Sequence, residues 1–414
     1  MTKELTVDTQ LISEIQRRRT FAIISHPDAG KTTLTEKLLL YAGALNMAGT
    51  VRAKKNHRQV TSDWMELERQ RGISITSTVL QFEYDGYRMN LLDTPGHQDF
   101  SEDTYRTLTA ADSAVMLIDG GKGIESQTLK LFDVCRMRKI PIFTFINKMD
   151  RPSRNPLDLL DEIEQVLGIR AFPINWPIGD GSSFCGVFDR INSQVHLFER
   201  TEHCATAAPV TVKDAYDPSL AKLVDKYAYD QFREEIELLD TAGYDFDREL
   251  LRAGKLTPVY FGSAANNFGV KLFLDSFISL ALPPESRKTS SSVVHPESDG
   301  FSGFVFKIQS NMDTKHRDSV AFVRVCSGRF EKDISVYHSR LGTKIRLSRP
   351  HKLFARDRET VETAYPGDIL GLVNPGAFSI GDTISTDKGI EFEGVPMFPA
   401  EHFAVMRCPN PDKL

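Results

Sequence analysis

Continuous apolar runs alternate with segments of helical periodicity over the first part of the chain. Such runs are typical of strands that are buried on both faces, and a helical segment between two runs provides the crossover that parallel strands require. The runs are residues 21–24, 114–119, 141–146 and 256–261, and the helical segments are 33–44, 125–138, 156–167 and 269–282. Residues 77–84 and 87–93, joined by Asp85-Gly86, predict a hairpin. The pattern predicts a mostly parallel, doubly wound α/β sheet.

The pattern changes further along the chain, and each change predicts a boundary. Residues 169–255 lack the simple alternation, which predicts a subdomain inserted into a first domain of residues 1–285. The Pro- and Ser-rich residues 286–300 predict a linker. Short alternating runs separated by turn residues predict an all-β barrel over 301–396, and 397–414 predict the truncated start of a third domain.

Composition limits the class of protein. The 414 residues are 41% hydrophobic and 26% charged, which is enough apolar material for a large core. A net charge of −5 excludes a globally basic nucleic-acid-binding protein. The five cysteines form no C-x-x-C pair, which favours reduced thiols over a disulfide scaffold or a zinc site. The polar first 19 residues and the lack of a run of ~20 apolar residues predict a cytoplasmic protein that uses no membrane.

The loop between the first apolar run and the first helical segment carries candidate chemistry. Backbone N–H groups of such a loop and of the following helix start can cradle phosphate. Gly30 allows close approach, Lys31 offers charge to the outer phosphates, and the Thr32 hydroxyl can ligate Mg²⁺. Ser25 replaces the usual first glycine, so by itself the loop is equally compatible with an ordinary strand–turn–helix. The predicted phosphate-loop residues are Ser25, His26, Pro27, Asp28, Ala29, Gly30, Lys31, Thr32 and Thr33.

Two further motifs follow apolar strands at the same predicted sheet edge. The first is Asp93-Thr94-Pro95-Gly96-His97, in which Asp93 can hold Mg²⁺ through water and the Gly96 N–H can contact a γ-phosphate; the alternative is a plain turn. The second is Asn147-Lys148-Met149-Asp150. The Asp150 carboxylate can accept bonds from guanine N1–H and the 2-amino group, and adenine would leave it unpaired, a discrimination of ~10⁴ or more.

Two weaker signals agree with these motifs. Gly262-Ser263-Ala264 ends the last apolar run, where backbone N–H groups can reach guanine O6. Ser74 and Thr76 are candidate Mg²⁺ ligands in a switch segment, and strand-edge hydroxyls are the alternative. Motifs in this order on the edge of one sheet predict a GTPase.

The motifs resemble those of the translational GTPases. The carriers are residues 28–33, the segment E-R-Q-R-G-I at 68–73, residues 93–97 and residues 147–150. Within these GTPases, 25–33 and 262–269 are most similar to the peptide chain release factor 3 family. The resemblance covers nearly the whole chain and implies an α/β P-loop GTPase domain with an inserted subdomain, followed by a β-barrel.

The resemblance also implies residue roles. His97 would position the attacking water once the ribosome is bound, with Asp28 and Lys31 as the other catalytic residues. Ile73 and Pro27 match an apolar gate that keeps this histidine away in the free protein. The implied cofactor is Mg²⁺ with GTP or GDP, and its ligands are Thr32, Ser74 and, through water, Asp93.

The implied activity is ribosome-stimulated GTP hydrolysis that promotes dissociation and recycling of class I peptide chain release factors in translation termination. The implied partners are the ribosome, through rRNA and ribosomal proteins, the class I factors, GTP or GDP, and guanosine polyphosphates. Three alternatives stay open: an elongation factor G-like or ribosome-protection GTPase, a metabolic enzyme driven by a GTPase module, and a guanine-nucleotide sensor with little turnover. The long separation of Asp150 and Ser263 disfavours the metabolic enzyme, because such enzymes lack the inserted subdomain.

Overall fold

A computed structural model of the chain describes residues 8–43, 77–95, 101–198, 207–212, 215–217, 219–242, 245–310, 319–347, 350–354, 357–374 and 376–396. Within these residues the chain forms an α/β domain and an all-β domain, so the predicted fold class is confirmed. No helix in the described ranges is both long and apolar enough to cross a membrane.

The first domain is built on a seven-stranded sheet with the order β2-β3-β1-β4-β5-β11-β6 among the described residues. All neighbours are parallel except β2 and β3, which form the predicted antiparallel hairpin. The strands of this sheet are β1 Arg18–Ser25, β2 Thr78–Tyr84, β3 Tyr87–Asp93, β4 Ser113–Asp119, β5 Ile142–Asn147, β6 Arg170–Pro173 and β11 Leu256–Phe261. The short strand β6 lies within the predicted insertion, whose boundaries stay a prediction.

Helices cover both faces of this sheet because its strands alternate between two cores. Along β1, Ala22 and Ile24 belong to one buried cluster, and Phe21 and Ile23 belong to the other. The helices are α1 Thr9–Gln16, α2 Lys31–Tyr41, α3 Ser101–Leu108, α4 Ser126–Met137, α5 Pro156–Glu162, α6 Leu220–Leu223, α7 Lys226–Ala242, α8 Arg248–Arg252 and α9 Val270–Leu280. A π-helical turn, Ile163–Leu167, extends α5 up to a left-handed Gly168.

Four antiparallel strands and the long helix α7 form a smaller layer beside the main sheet. The strand order is β10-β9-β8-β7, and Trp176 of β7 donates from Nε1 to Glu235 Oε2 of α7 at 2.8 Å. These strands are β7 Asn175–Ile178, β8 Gly186–Asp189, β9 Gln194–Phe198 and β10 Ala207–Val212.

The second domain is an antiparallel sheet that curls around its own core, with Val305, Val323 and Leu370 among the buried residues. The sheet order is β18-β17-β23-β14-β15-β22-β19-β20, and β16 pairs with β21 separately. A short hairpin, β12 Arg287–Lys288 and β13 Val293–Val294, precedes the domain. The strands of the second domain are β14 Ser302–Ser310, β15 Ser319–Ser327, β16 Phe330–Glu331, β17 Ser335–His338, β18 Thr343–Arg346, β19 Pro350–Phe354, β20 Asp357–Thr360, β21 Thr363–Ala364, β22 Ile369–Asn374 and β23 Thr383–Ser385.

One segment of the second domain, residues 367–369, contacts three adjacent strands of the first domain. The Gly367 carbonyl accepts hydrogen bonds from Thr20 Oγ1 at 2.7 Å and Asn90 Nδ2 at 3.1 Å. The Asp368 carboxylate lies 2.8 Å from Arg18 Nη2 and 3.3 Å from Arg88 Nε. Gln81 Nε2 donates to the Ile369 carbonyl at 3.1 Å. Polar contacts therefore attach the second domain to β1, β2 and β3.

Candidate functional site

The predicted phosphate loop lies between the end of β1 and the start of α2. Gly30, the residue before α2, has a φ of +100°, a backbone conformation that glycine adopts without strain. A Cβ at this position would lie 2.3 Å from Asn147 Nδ2, so the loop and β5 can approach this closely only with glycine. The structure therefore brings the loop directly against the Asn147 motif.

Lys31 and Asp93 form a buried ion pair at the base of the loop. Lys31 Nζ lies 2.6 Å from Asp93 Oδ1, and their side chains are only 8% and 3% exposed. The next residue, Thr94, donates from Oγ1 to the Ile23 carbonyl at 2.7 Å and so fixes the end of β3 against β1. Two residues predicted to serve the phosphates and the metal are thus paired with each other here.

Asn147 connects the phosphate loop to the third predicted motif. Its Nδ2 donates to the Ala29 carbonyl at 2.8 Å, and its Oδ1 accepts from the Ala264 amide at 2.8 Å. Both bonds are buried. One amide side chain therefore fixes the relative positions of all three loops.

Lys148 adds a second connection between the loops. One of its partners, Asp119, belongs to none of the predicted motifs. Lys148 Nζ donates to the Asp28 carbonyl at 2.6 Å and to Asp119 Oδ2 at 2.7 Å. Burial opposes ionisation of Asp119, but the bonds from Lys148 and the Gly121 amide hold the pKa of this carboxyl below its usual value. Because Asp119 ends β4 at the same sheet edge, its position in the apolar run could have identified it.

Asp150 presents an unpaired carboxylate oxygen next to these loops. Its Oδ1 is buried, and no hydrogen-bond partner for it exists among the described residues. A buried acceptor without a partner costs roughly 1–3 kcal/mol, so a ligand or a water molecule is expected to donate to it. A ligand with neighbouring N–H donors, as on the N1–C2 edge of guanine, would satisfy it.

The Gly262-Ser263-Ala264 segment closes the end of β11 beside Asp150. The Gly262 amide donates to Ile146, the Ser263 amide to Phe268, and the Ala264 amide to Asn147 Oδ1. All three amides therefore have acceptors within the protein. The predicted bond to guanine O6 would therefore have to share one of these amides with its present acceptor.

The histidine of the phosphate loop has contacts that the sequence did not indicate. The His26 amide donates to Thr128 Oγ1 at 3.1 Å, and its Nε2 lies 3.4 Å from Glu125 Oε1. Both partners lie at the start of α4, so a neighbouring helix supports the loop.

Two family models match the chain. The Elongation factor Tu GTP binding domain matches residues 16–283, and Elongation factor G domain 2 matches residues 300–387. Proteins named peptide chain release factor 3 are similar over nearly the full chain. That of Gloeobacter violaceus is 66% identical over 97% of this chain and 76% of its own length, and that of Synechococcus elongatus is 62% identical over 97% and 72%.

The chain belongs to the peptide chain release factor 3 family of translational GTPases. A solved structure from Thermus thermophilus superposes with a TM-score of 0.71 at 22% identity, and the match covers 92% of this chain and 56% of that one. That likeness supports the fold alone. Family membership means that the chain is a GTPase with a role in translation termination, which implies guanine nucleotides and the ribosome as partners.

Several predicted residues of this GTPase lie outside the described residues: Gly96, His97, Ile73, Ser74 and Thr76. The predicted Mg²⁺ ligands that are described are Thr32, at the start of α2, and Asp93. Among the described residues no group of three or more His, Cys, Asp or Glu side chains could hold a metal. A single carboxylate and a hydroxyl suit Mg²⁺, which binds through one or two protein groups together with phosphate and water.

Proposed function

We propose that this release factor 3 family member binds GTP or GDP with Mg²⁺ where the loops after β1, β3, β5 and β11 meet. GTP hydrolysis on the ribosome would promote dissociation and recycling of class I release factors during termination. The observation that carries the nucleotide assignment is the buried, unpaired Oδ1 of Asp150 beside the Asn147 bonds to Ala29 and Ala264.

The guanine base would be selected at the Asp150 end of the site. The carboxylate accepts from N1–H and the 2-amino group, and Met149 and Lys148 complete the base loop. Adenine has an acceptor at N1 and no 2-amino group, so it would leave the carboxylate unpaired in a buried position. Asn147 holds the base loop and the phosphate loop at a fixed separation through its bonds to Ala29 and Ala264, so one nucleotide could contact both loops.

The triphosphate would lie over the N-terminus of α2, where the amides that follow Gly30 can donate to phosphate oxygens. Lys31 would exchange its bond to Asp93 for the outer phosphates, and Asp93 would become available to hold Mg²⁺ through water. Thr32 and Ser74 would hold the same ion directly. Bound Mg²⁺ would neutralise charge that develops on the phosphate oxygens.

Hydrolysis in this proposal depends on positioning and charge, without a covalent intermediate. His97 would orient the attacking water when the ribosome turns it inward, and Asp28 would support the γ-phosphate side. Pro27 and Ile73 would keep this histidine away in the free protein. Guanosine polyphosphates are a further predicted ligand class, since they share the guanine edge and the inner phosphates.

Replacement of the Asp150 carboxylate, which is proposed to recognise guanine, tests the nucleotide site. An amide at position 150 would donate to the C2 carbonyl of xanthine and accept from its N1–H. Asp150→Asn should therefore lose affinity for fluorescent GDP about a hundredfold or more and gain comparable affinity for xanthosine diphosphate. The exposed Asp161→Asn on α5 is the matched control and should keep GDP binding. Unchanged GDP affinity in Asp150→Asn would overturn the assignment.

Two ribosome assays test the activity itself. Ribosomes should accelerate GTP turnover by the chain more than tenfold, a gain that a nucleotide sensor would not show. On ribosomes that hold a stop codon and a class I factor, GTP should release the factor faster than GDP does. Equal release with both nucleotides would contradict the proposed role in dissociation of class I factors and favour the elongation factor G-like alternative.

A further inference from the structure

A buried lysine of the second domain reaches into the first domain. Lys307, on β14, has a side chain that is only 5% exposed, and its Nζ donates to the Ser77 carbonyl at 2.5 Å and to Asp103 Oδ2 at 3.2 Å. Lysine is rarely buried without such partners, because desolvating an ammonium group is costly. Ser77 and Asp103, which both belong to the first domain, therefore help to fix the position of this charge.

The first-domain residues around Lys307 also bond to each other. Asp103 Oδ2 accepts from the Ser77 amide at 2.8 Å and from Ser77 Oγ at 2.6 Å, and Thr107 Oγ1 donates to Ser77 Oγ at 3.0 Å. We name Ser77, Asp103, Thr107 and Lys307 the Lys307 cluster. Burial opposes ionisation of Asp103, but the Lys307 charge and the Ser77 bonds hold the pKa of its carboxyl below the usual value.

Two members of the Lys307 cluster follow closely in the chain after residues that are predicted to contact the nucleotide. Ser77 is three residues after Ser74, the predicted Mg²⁺ ligand, and directly precedes β2. Asp103 is six residues after His97, in the first turn of α3. The N–H, C=O and hydroxyl groups of Ser77 all bond within the cluster. Lys307 thus holds together the chain positions that follow both the predicted metal ligand and the predicted catalytic histidine.

We propose that Lys307 is a positioning residue that couples the second domain to recognition of the γ-phosphate. The inference rests on the proposed nucleotide site. GTP differs from GDP only in the γ-phosphate, which Ser74, Gly96 and His97 are predicted to serve. The Lys307 cluster fixes Ser77 and Asp103, the described residues that follow these predicted contacts in the chain, so its loss would displace the anchors on which their positions depend. Loss of the cluster should therefore weaken binding of GTP more than binding of GDP.

The chain offers a matched control for this proposal. Arg324, on β15, is also buried and also pairs with a first-domain carboxylate, through Nη2 and Asp112 Oδ2. Asp112 lies just before β4, at the amino edge of the sheet and therefore at the end opposite the nucleotide loops. Lys307→Met and Arg324→Met both remove a buried interdomain charge. Only Lys307→Met removes contacts to residues that follow the predicted nucleotide-binding segments, namely Ser77 and Asp103.

The experiment measures dissociation constants for GDP and for a non-hydrolysable GTP analogue in the parent chain and both variants. The preference for the analogue is the dissociation constant of GDP divided by that of the analogue. Lys307→Met should lower this ratio about fivefold or more, and Arg324→Met should leave the ratio within about twofold of the parent value. Asp103→Asn should act in the same direction as Lys307→Met, and Lys307→Arg should restore part of the preference. These two variants provide the test if Lys307→Met does not fold.

The outcomes separate this inference from the proposed function. A parent chain that binds both nucleotides, with a preference unchanged in Lys307→Met, or lowered equally in Arg324→Met, would overturn the coupling and leave the nucleotide site intact. A parent chain that binds no guanine nucleotide would overturn the proposed function and the coupling together.

Discussion

Lys31 Nζ and Asp93 Oδ1 lie 2.6 Å apart in a buried pair, although each is predicted to serve a different part of the nucleotide. Removal of one partner leaves the other charge buried and unpaired, which typically costs about 3–5 kcal/mol. Lys31→Met should lower the free energy of unfolding of the nucleotide-free chain by that amount, measured by urea denaturation. The double variant Lys31→Met/Asp93→Asn should regain more than half of the loss. A double variant less stable than the single one would show that the pair is not coupled.

Asn147 should be needed for affinity because it bonds to two loops at once. Asn147→Ala leaves the Ala29 carbonyl and the Ala264 amide buried without partners, at about 1–3 kcal/mol for each unsatisfied group. GDP affinity should fall about tenfold or more, measured by fluorescence titration. The control is Asn192→Ala in a turn of the β7–β10 layer, where the side chain bonds to Asp189 and not to the nucleotide loops among the described residues. That variant should bind GDP as the parent chain does.

Two glycines with positive φ distinguish the effect of the close contact between Gly30 and Asn147 from the effect of backbone strain. Gly30→Ala places a methyl group 2.3 Å from Asn147 Nδ2 at a φ of +100° and should abolish detectable GDP binding. Gly43 also has a positive φ, +69°, but among the described residues a Cβ there would meet nothing within 4 Å. Gly43→Ala should therefore cost only about 1 kcal/mol of stability and keep GDP binding. Similar GDP affinities in the two variants would show that contact with Asn147 is unimportant.

Asp368 gives the domain interface a defined pH dependence. Burial opposes its ionisation, but the charges of Arg18 and Arg88 outweigh burial and hold the pKa of the carboxyl below its usual value. A lowered pKa contributes stability that is fully present above the unfolded pKa of about 4 and is lost as the pH falls through the folded pKa. Asp368→Asn should therefore be less stable than the parent at pH 7. That difference should shrink below about pH 4, measured by urea unfolding at each pH.

The cysteines should differ in reactivity. Burial raises the pKa of Cys135 to about 12 and that of Cys326 to about 11, so neither forms thiolate near neutral pH. Cys185 is half-buried, and its Sγ donates to the Ile178 carbonyl at 3.6 Å. Of these three, only Cys185 should be alkylated by iodoacetamide at pH 8 in the folded chain, as mass spectrometry of peptides would show. Modification of Cys135 without denaturant would contradict its buried position.

The sequence predicted what depends on local pattern. Apolar runs identified β1, β4, β5 and β11, and the motifs at their carboxyl ends identified Asn147 and its neighbours, because parallel strands bring those ends together. The four-residue strand β6 was missed because so short a run has little periodicity of its own.

Contacts between distant segments had no comparable signal. Lys307 and Ser77 are separated by 230 positions, and a lone lysine in a strand is usually exposed. The pairing of Lys31 with Asp93 and the bond from Lys148 to Asp119 likewise depend on tertiary packing. The roles of His97 and Ser74 stay predictions, because both residues lie outside the part of the chain that the structure describes.

Residues 367–369 bind donors from three neighbouring strands, so their attachments cannot be released one at a time without leaving buried polar groups unpaired. Rotation of the β domain about this contact would break the bonds to Thr20, Asn90 and Arg18 together. Separation of the domains at this contact would therefore leave several polar groups unpaired at once, and heat should melt both domains in one transition.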